Sequence, residues 1–202
     1  MARRGTGRTE EPPFRPVPEP PQFEDGYPSP DPAGKDADRD ADPESVARTI
    51  CLRLLTARAR SRAELAEALA ARAVPVEVAD AVLDRYVAVG LIDDASYARS
   101  FAVSRSGERG LADREITRQL RQRGIDAELA AEVVSELDPD HERQTALALV
   151  RRRQRAMATL DEATATRRLA GFLARKGYSP SLVYSVIREV RGEASEGPDD
   201  AW

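Results

Sequence analysis

Residues 113–137 read DREITRQLRQRGIDAELAAEVVSEL, and this stretch decides the fold. Ile116 and Leu120 lie on one face of a helix, and Leu129, Val133 and Leu137 on one face of another. Gly124 stands between them, where the end of a helix favours a left-handed residue, and Asp126 stands where the next helix wants an N-cap. The stretch is therefore helix, tight turn, helix. The same pattern occurs without a gap at residues 62–86, RAELAEALAARAVPVEVADAVLDRY, and at residues 166–190, TRRLAGFLARKGYSPSLVYSVIREV. Leu65, Ile116 and Leu169 share a column, as do Leu69, Leu120 and Leu173, then Val78, Leu129 and Leu182, then Val82, Val133 and Val186. The turn column holds Ala73, Gly124 and Gly177. The next holds Val74, Ile125 and Tyr178, placed to staple the chain as it enters the second helix.

A helix precedes each pair, at about residues 44–57, 94–105 and 140–157, so each unit has three helices. Ser61 with Glu64 and Thr159 with Glu162 have capping-box spacing, and Ser179 before Pro180 is a good helix start. Runs of alternating β-branched residues are absent. The fold class expected is all-α: three tandem three-helix repeats at 44–93, 94–138 and 139–191. Three helices of this length bury little alone, so neighbouring units should stack into an elongated array.

Outside these units the composition changes. Residues 1–43 hold ten of the fourteen prolines and six Lys/Arg against ten Asp/Glu. Residues 192–202 hold four acidic residues and no basic one. Both segments lack the apolar periodicity needed to offset chain entropy and are expected to be disordered, with Trp202 solvated. The whole chain of 202 residues carries a formal charge of −4, but the body between the tails is basic, with 25 Lys/Arg against 21 Asp/Glu. Of the 31 basic residues only Lys35 and Lys176 are lysine. That excess of arginine is first of all a bias of composition.

Several classes of function drop out. One cysteine and one histidine, Cys51 and His141, allow neither a disulfide framework nor a thiolate or histidine-rich metal site. No GxxxxGK[ST] or GxGxxG loop is present. Cys51 lies on an apolar helix face, His141 is expected to be exposed, and Asp93-Asp94 should cap the helix they precede. No catalytic residue, metal or cofactor is expected, and the chain is read as a binding protein rather than an enzyme. No apolar run approaches the ~18 residues of a membrane span, and no secretory h-region follows the first arginines, so a cytoplasmic protein is expected.

What is left is where the arginines point. Arg114, Arg118 and Arg121 project opposite the Ile116–Leu120 stripe. The same columns hold Ala63, Glu67 and Ala70 in the first unit, so the scaffold does not require arginine there. A second cluster is Arg151, Arg152, Arg153 and Arg155, of which Arg151, Arg152 and Arg155 face away from Ala146, Val150 and Met157. A third group, Arg99, Arg105 and Arg109, lies near Tyr97 and Phe101. These clusters are either solvated surface or a footprint for an anionic partner, phosphate or carboxylate, both of which the guanidinium fork fits. No aromatic stacking platform accompanies them in the sequence.

RSRAEL after LLTARA, then VGLIDDASYARSFAVSR, then RGLADREITRQLRQRGID, resemble the RecX regulatory proteins. The stretch from Leu91 to Phe101 is the most specific, and GFLARKGYSPSLVYSVI in the third unit fits as well. The resemblance covers about Ser45 to Val190. It implies three tandem three-helix repeats in a curved molecule that binds the RecA–DNA filament. It also implies lower RecA ATPase, strand exchange and coprotease activity, hence a role in recombination, repair and the SOS response, with weak direct DNA binding besides. The contacts it implies are Tyr97, Arg99, Ser104, Arg105 and Arg109; the derived clusters Arg114, Arg118, Arg121, Arg151, Arg152 and Arg155 join them. A monomer is expected. The alternatives are a basic helical module that binds DNA without RecA, and a scaffold for another protein. The chain departs from the family in having Ala73 in place of the first turn's glycine, which could send the chain differently into Pro75. The proline-rich extension has no counterpart in the family.

Overall fold

The computed structural model describes residues 42–195 apart from 139 and 158. The expected disorder of the two tails falls outside these residues, except at its inner edges. The first helix begins at Pro43, with Asp42 as its N-cap, and the last continues through Gly192 to Ser195. Gly192 alone does not end it, because a single glycine costs a helix only about 1 kcal/mol.

The described residues form nine helices and no strand. The first unit contains α1 (Pro43–Ala57), α2 (Arg62–Ala70) and α3 (Val76–Ala88). The second contains α4 (Asp94–Gly107), α5 (Asp113–Gln122) and α6 (Ala127–Ser135). The third contains α7 (His141–Arg155), α8 (Glu162–Arg175) and α9 (Pro180–Ser195). Each unit closes around its own apolar cluster. Leu65, Leu69, Ile116, Leu120, Leu169 and Leu173, the aligned columns, are all fully buried. Cys51 is buried as well, and burial pushes its thiol up to about 11, so it is no nucleophile at neutral pH. Most helix contacts lie within units; across units, α4 meets α7. The units are therefore strung in series.

The three turns share one backbone. Val74, Ile125 and Tyr178 each donate an N–H to the carbonyl five residues back, on Leu69, Leu120 and Leu173. This is the Schellman bond, and it needs a left-handed residue just before the donor. Gly124 and Gly177 supply it at φ +75° and +94°. Ala73 supplies it too, at φ +56°. The altered path expected from Ala73 therefore does not occur: alanine takes the left-handed conformation, at a cost of roughly 1–2 kcal/mol.

The caps mostly agree with the sequence. Ser61 and Glu64 form a full capping box, and Asp93 and Asp126 accept from the first-turn N–H groups of α4 and α6. Ser179 Oγ accepts from Leu182 N at 3.3 Å. The exception is α8, which starts with Asp161 as N-cap, accepting from Thr164 N at 2.9 Å, rather than from Thr159. A free carboxylate two residues further on caps better than the hydroxyl.

Candidate anion-binding groove

The site follows from how the units join. At the first joint the α5–α6 turn lies on the start of α2. A Cβ on Gly124 would sit 2.1 Å from Ala63 Cβ, so glycine is needed here for closeness as well as for φ. Ser61 Oγ donates to the Arg123 carbonyl at 2.6 Å, and Asp94 Oδ1 accepts from Arg62 N at 2.8 Å. Arg123 turns inward, where its Nη1 donates to Glu64 Oε1 at 2.6 Å and its guanidinium lies 4.9 Å from the centre of the Phe101 ring. Arg58 reaches the same carboxylate at 3.8 Å. Glu64 is only 4% exposed, so this charge is buried and paired.

At the second joint the α8–α9 turn lies on the start of α5. A Cβ on Gly177 would come within 2.6 Å of Glu115 Cβ. Ala112 N donates to the Lys176 carbonyl at 3.0 Å, and Tyr178 Oη donates to the Gly110 carbonyl at 3.1 Å. Here Glu115 does not pair with the residue equivalent to Arg123. It accepts from Arg118 on its own helix, at 2.8 and 2.6 Å, and the guanidinium holds its carboxyl below the usual range. Lys176 instead donates from Nζ to the Arg109 carbonyl and lies 5.4 Å from the centre of the Phe172 ring. Burial lowers the Lys176 amine below its ordinary value, and Arg152, Arg109 and Arg153 lower it further.

Positive charge thus gathers along α7 and α8. A groove of about 440 Å³ is lined by Leu149, Arg152, Arg153, Ala156, Met157, Arg168 and Phe172. It continues into a second hollow that shares Arg153, Met157 and Arg168 and adds Arg167 and Arg175. Arg153 stands 4.4 Å from the centre of the Phe172 ring. None of Arg152, Arg153, Arg168 or Arg175 has a carboxylate within salt-bridge distance among the described residues. The floor is apolar and the rim cationic, which suits a polyanion carrying flat or apolar groups.

The groove takes in only part of what the sequence pointed to. It includes Arg152, and Lys176 brings Arg109 into electrostatic reach. Arg151 and Arg155 are exposed on α7 but do not line it. Arg114, Arg118 and Arg121 are exposed on α5, outside it, with Arg118 tied to Glu115. Arg99 is exposed and pairs with Glu136 at 3.1 Å.

Three candidates are corrected. Tyr97, Ser104 and Arg105 are buried and offer no surface to a partner. Tyr97 stacks on Phe101 at 6.2 Å, Ser104 donates to Glu108 at 3.2 Å, and Arg105, 1% exposed, lies 4.8 Å from the Phe101 ring centre. Arginine on an aromatic ring in a closed joint is a packing residue. His141, expected to be exposed, is half-buried with Nε2 3.3 Å from Thr145 Oγ1. The sequence pattern places Arg153 in the basic cluster of α7 but does not single out Arg168, Lys176 or Phe172. No aromatic stacking platform is expected with the clusters, whereas Phe172 stands under two cations, Arg153 and Lys176. Phe172 is one residue before the core column of Leu173, and only the packing of α7 on α8 shows which side it faces.

Comparison with known proteins agrees with this architecture unit by unit. Models of the RecX first, second and third three-helix domains match residues 47–85, 93–134 and 140–187. The chain belongs to the RecX family. It is 44% identical over 176 residues to the regulatory protein RecX of Streptomyces coelicolor, covering 87% of this chain and 94% of that protein. To RecX of Thermobifida fusca it is 48% identical over 143 residues, 71% of this chain and 77% of that one. The crystal structure of RecX from Lactobacillus salivarius superposes with a TM-score of 0.67 at 18% identity, over 74% of this chain and 97% of that chain. At such identity the superposition speaks for the fold. These relatives are regulatory proteins, which accords with a regulatory, non-catalytic role. Among the described residues no cluster of His, Cys, Asp and Glu could hold a metal, and no helix is long and apolar enough to cross a membrane.

Proposed function

We propose that this protein binds the RecA–DNA filament and restrains it, lowering RecA's ATPase, strand exchange and stimulation of repressor cleavage. It does so as a cytoplasmic monomer, without a cofactor. Membership of the RecX family supports the partner. The observation that carries the site is the α7–α8 groove, whose Arg152, Arg153 and Arg168 have no carboxylate partner among the described residues and which Arg153 lines over the Phe172 ring. A filament offers both matching chemistries, phosphates and acidic side chains. Arg114 and Arg121 on α5 extend the basic surface along the second unit.

The test is a titration of RecA ATPase on single-stranded DNA. Inhibition at or below equimolar protein is expected, and Arg152→Glu with Arg168→Glu should abolish it while the far-ultraviolet circular dichroism stays that of the parent. No inhibition by the parent at equimolar ratio overturns the reading. The basic body charge favours one second reading, direct DNA binding without RecA. In that case affinity for naked DNA should fall steeply with salt, and RecA would add nothing to it.

A further inference from the structure

We propose that the acidic segment Glu196–Trp202 occupies the α7–α8 groove when no other polyanion does, with Trp202 seated against Met157 and Phe172 and the acids on the arginine rim. The proposal rests on the functional reading above, because the groove it closes is the one assigned to the partner.

Three observations carry it. The first is charge. The groove and its continuation present Arg152, Arg153, Arg167, Arg168 and Arg175, whereas the segment carries Glu196, Asp199 and Asp200 and no cation. The second is position. Arg191 Nη1 donates to Glu162 Oε1 at 2.6 Å, so the end of α9 lies beside the start of α8. Arg168 is six residues further along α8, about 9 Å. Seven residues beyond Ser195 span up to about 23–25 Å when extended, enough to bring Trp202 to the Arg168 end of the groove. A path is open, since the hollow between α8 and α9, lined by Glu162, Ala163, Thr166, Ala170 and Tyr184, shares Arg167 with the basic hollow. The third is shape chemistry. The groove has an apolar floor of Leu149, Ala156, Met157 and Phe172 under a cationic rim, and the segment pairs acids with the chain's one tryptophan. The N-terminal extension joins the described chain at α1, in the first unit, and carries six Lys/Arg among its acids, whereas residues 196–202 carry none.

A tethered segment competes at an effective concentration in the millimolar range. If its own affinity is of that order, it weakens an external polyanion by about two- to tenfold at low salt, and less as salt screens it. It would act as a threshold: weak anions are refused, and only a dense array such as a filament displaces it.

The single tryptophan gives the test. In the full chain at low salt, Trp202 emission should lie at shorter wavelength than that of the free peptide EGPDDAW. It should shift to the peptide's value with Arg168→Glu, with high salt, or on adding an oligothymidylate. Removing residues 196–202 should raise oligothymidylate affinity about two- to tenfold. Emission equal to that of the peptide at low salt overturns the proposal. So does unchanged affinity on truncation, or release produced by removing residues 1–41 instead. The functional reading fails separately: if neither the full nor the truncated chain inhibits RecA, that reading falls, while the salt response of Trp202 still decides the docking.

Discussion

The joint between the first and second units is held by a buried ion pair, whereas the joint between the second and third leaves its cation unneutralised. The backbones are alike. Each turn presents a carbonyl, of Arg123 or Lys176, to the start of the preceding unit's middle helix, and each needs glycine where it lands. The side chains differ. Glu64 turns into the joint and takes Arg123, while Glu115, in the same column, is taken by Arg118 on its own helix. Lys176 is left among Arg109, Arg152 and Arg153 beside Phe172. A cation is thus consumed in the first joint, whereas at the second Lys176 adds to the positive charge of Arg152 and Arg153 beside Phe172. At the first unit's own turn Ala73 meets the φ requirement that Gly124 and Gly177 meet at the other two. At the other end, Ala165 stands in the column of Ser61 and Ala112, yet its N–H is bonded to Asp161 within α8.

The sharpest way to break this contrast is to remove the buried carboxylate. Glu64→Leu strands Arg123 and should cost about 3–5 kcal/mol in urea unfolding. Glu115→Leu, its counterpart, should cost well under half as much, and equal losses would refute the difference between the joints. Next come the glycines. Gly124→Ala should cost roughly 2–5 kcal/mol, from the left-handed φ together with a clash against Ala63, and Gly177→Ala somewhat less. The mirror substitution, Ala73→Gly, should stay within about 1 kcal/mol of the parent, since relief of φ strain is offset by glycine's greater chain entropy.

The smallest effect expected is one of pH at the second joint. Asp113 N donates to Glu142 Oε1 at 3.3 Å; burial pushes the Asp113 carboxyl up, and burial and then Asp113 push Glu142 up. A carboxyl raised in the folded state holds its proton more tightly there than in the unfolded chain. The stability it costs is therefore present above the folded pKa and is recovered as pH falls through it. Glu142→Gln keeps the acceptor and removes the charge, so it should raise the melting temperature at pH 7.5 by about 1–3 °C and by less near pH 4.5. No such dependence on pH would show that Glu142 is not raised by burial beside Asp113.

The fold was legible almost entirely. Leucine and valine columns marked the buried faces, Gly124 and Gly177 the turns, and Ser61, Asp93 and Asp126 the helix starts. The site was legible only in part. The sequence pattern points to Arg152, which lines the groove, but also to Tyr97, Ser104 and Arg105, which are buried, and it gives no sign of Phe172 or Lys176. The reason is in the joints, which bury polar and charged side chains that no apolar period announces. A mistaken cap, Thr159 for Asp161, shifted the start of α8 for the same kind of reason: two acceptable caps stood close together and packing chose between them.

Helical period, capping and turn chemistry act over a few residues, so the number of units, their internal order and the left-handed turns could be read directly from the chain. Which arginines are paired inside a joint and which stand open in a groove depends on residues far apart in the chain, such as Glu64 with Arg123 and Lys176 with Arg109. Coulomb and burial energies act across space rather than along sequence, and so only the packed units decided where the charge is spent and where it is free to bind.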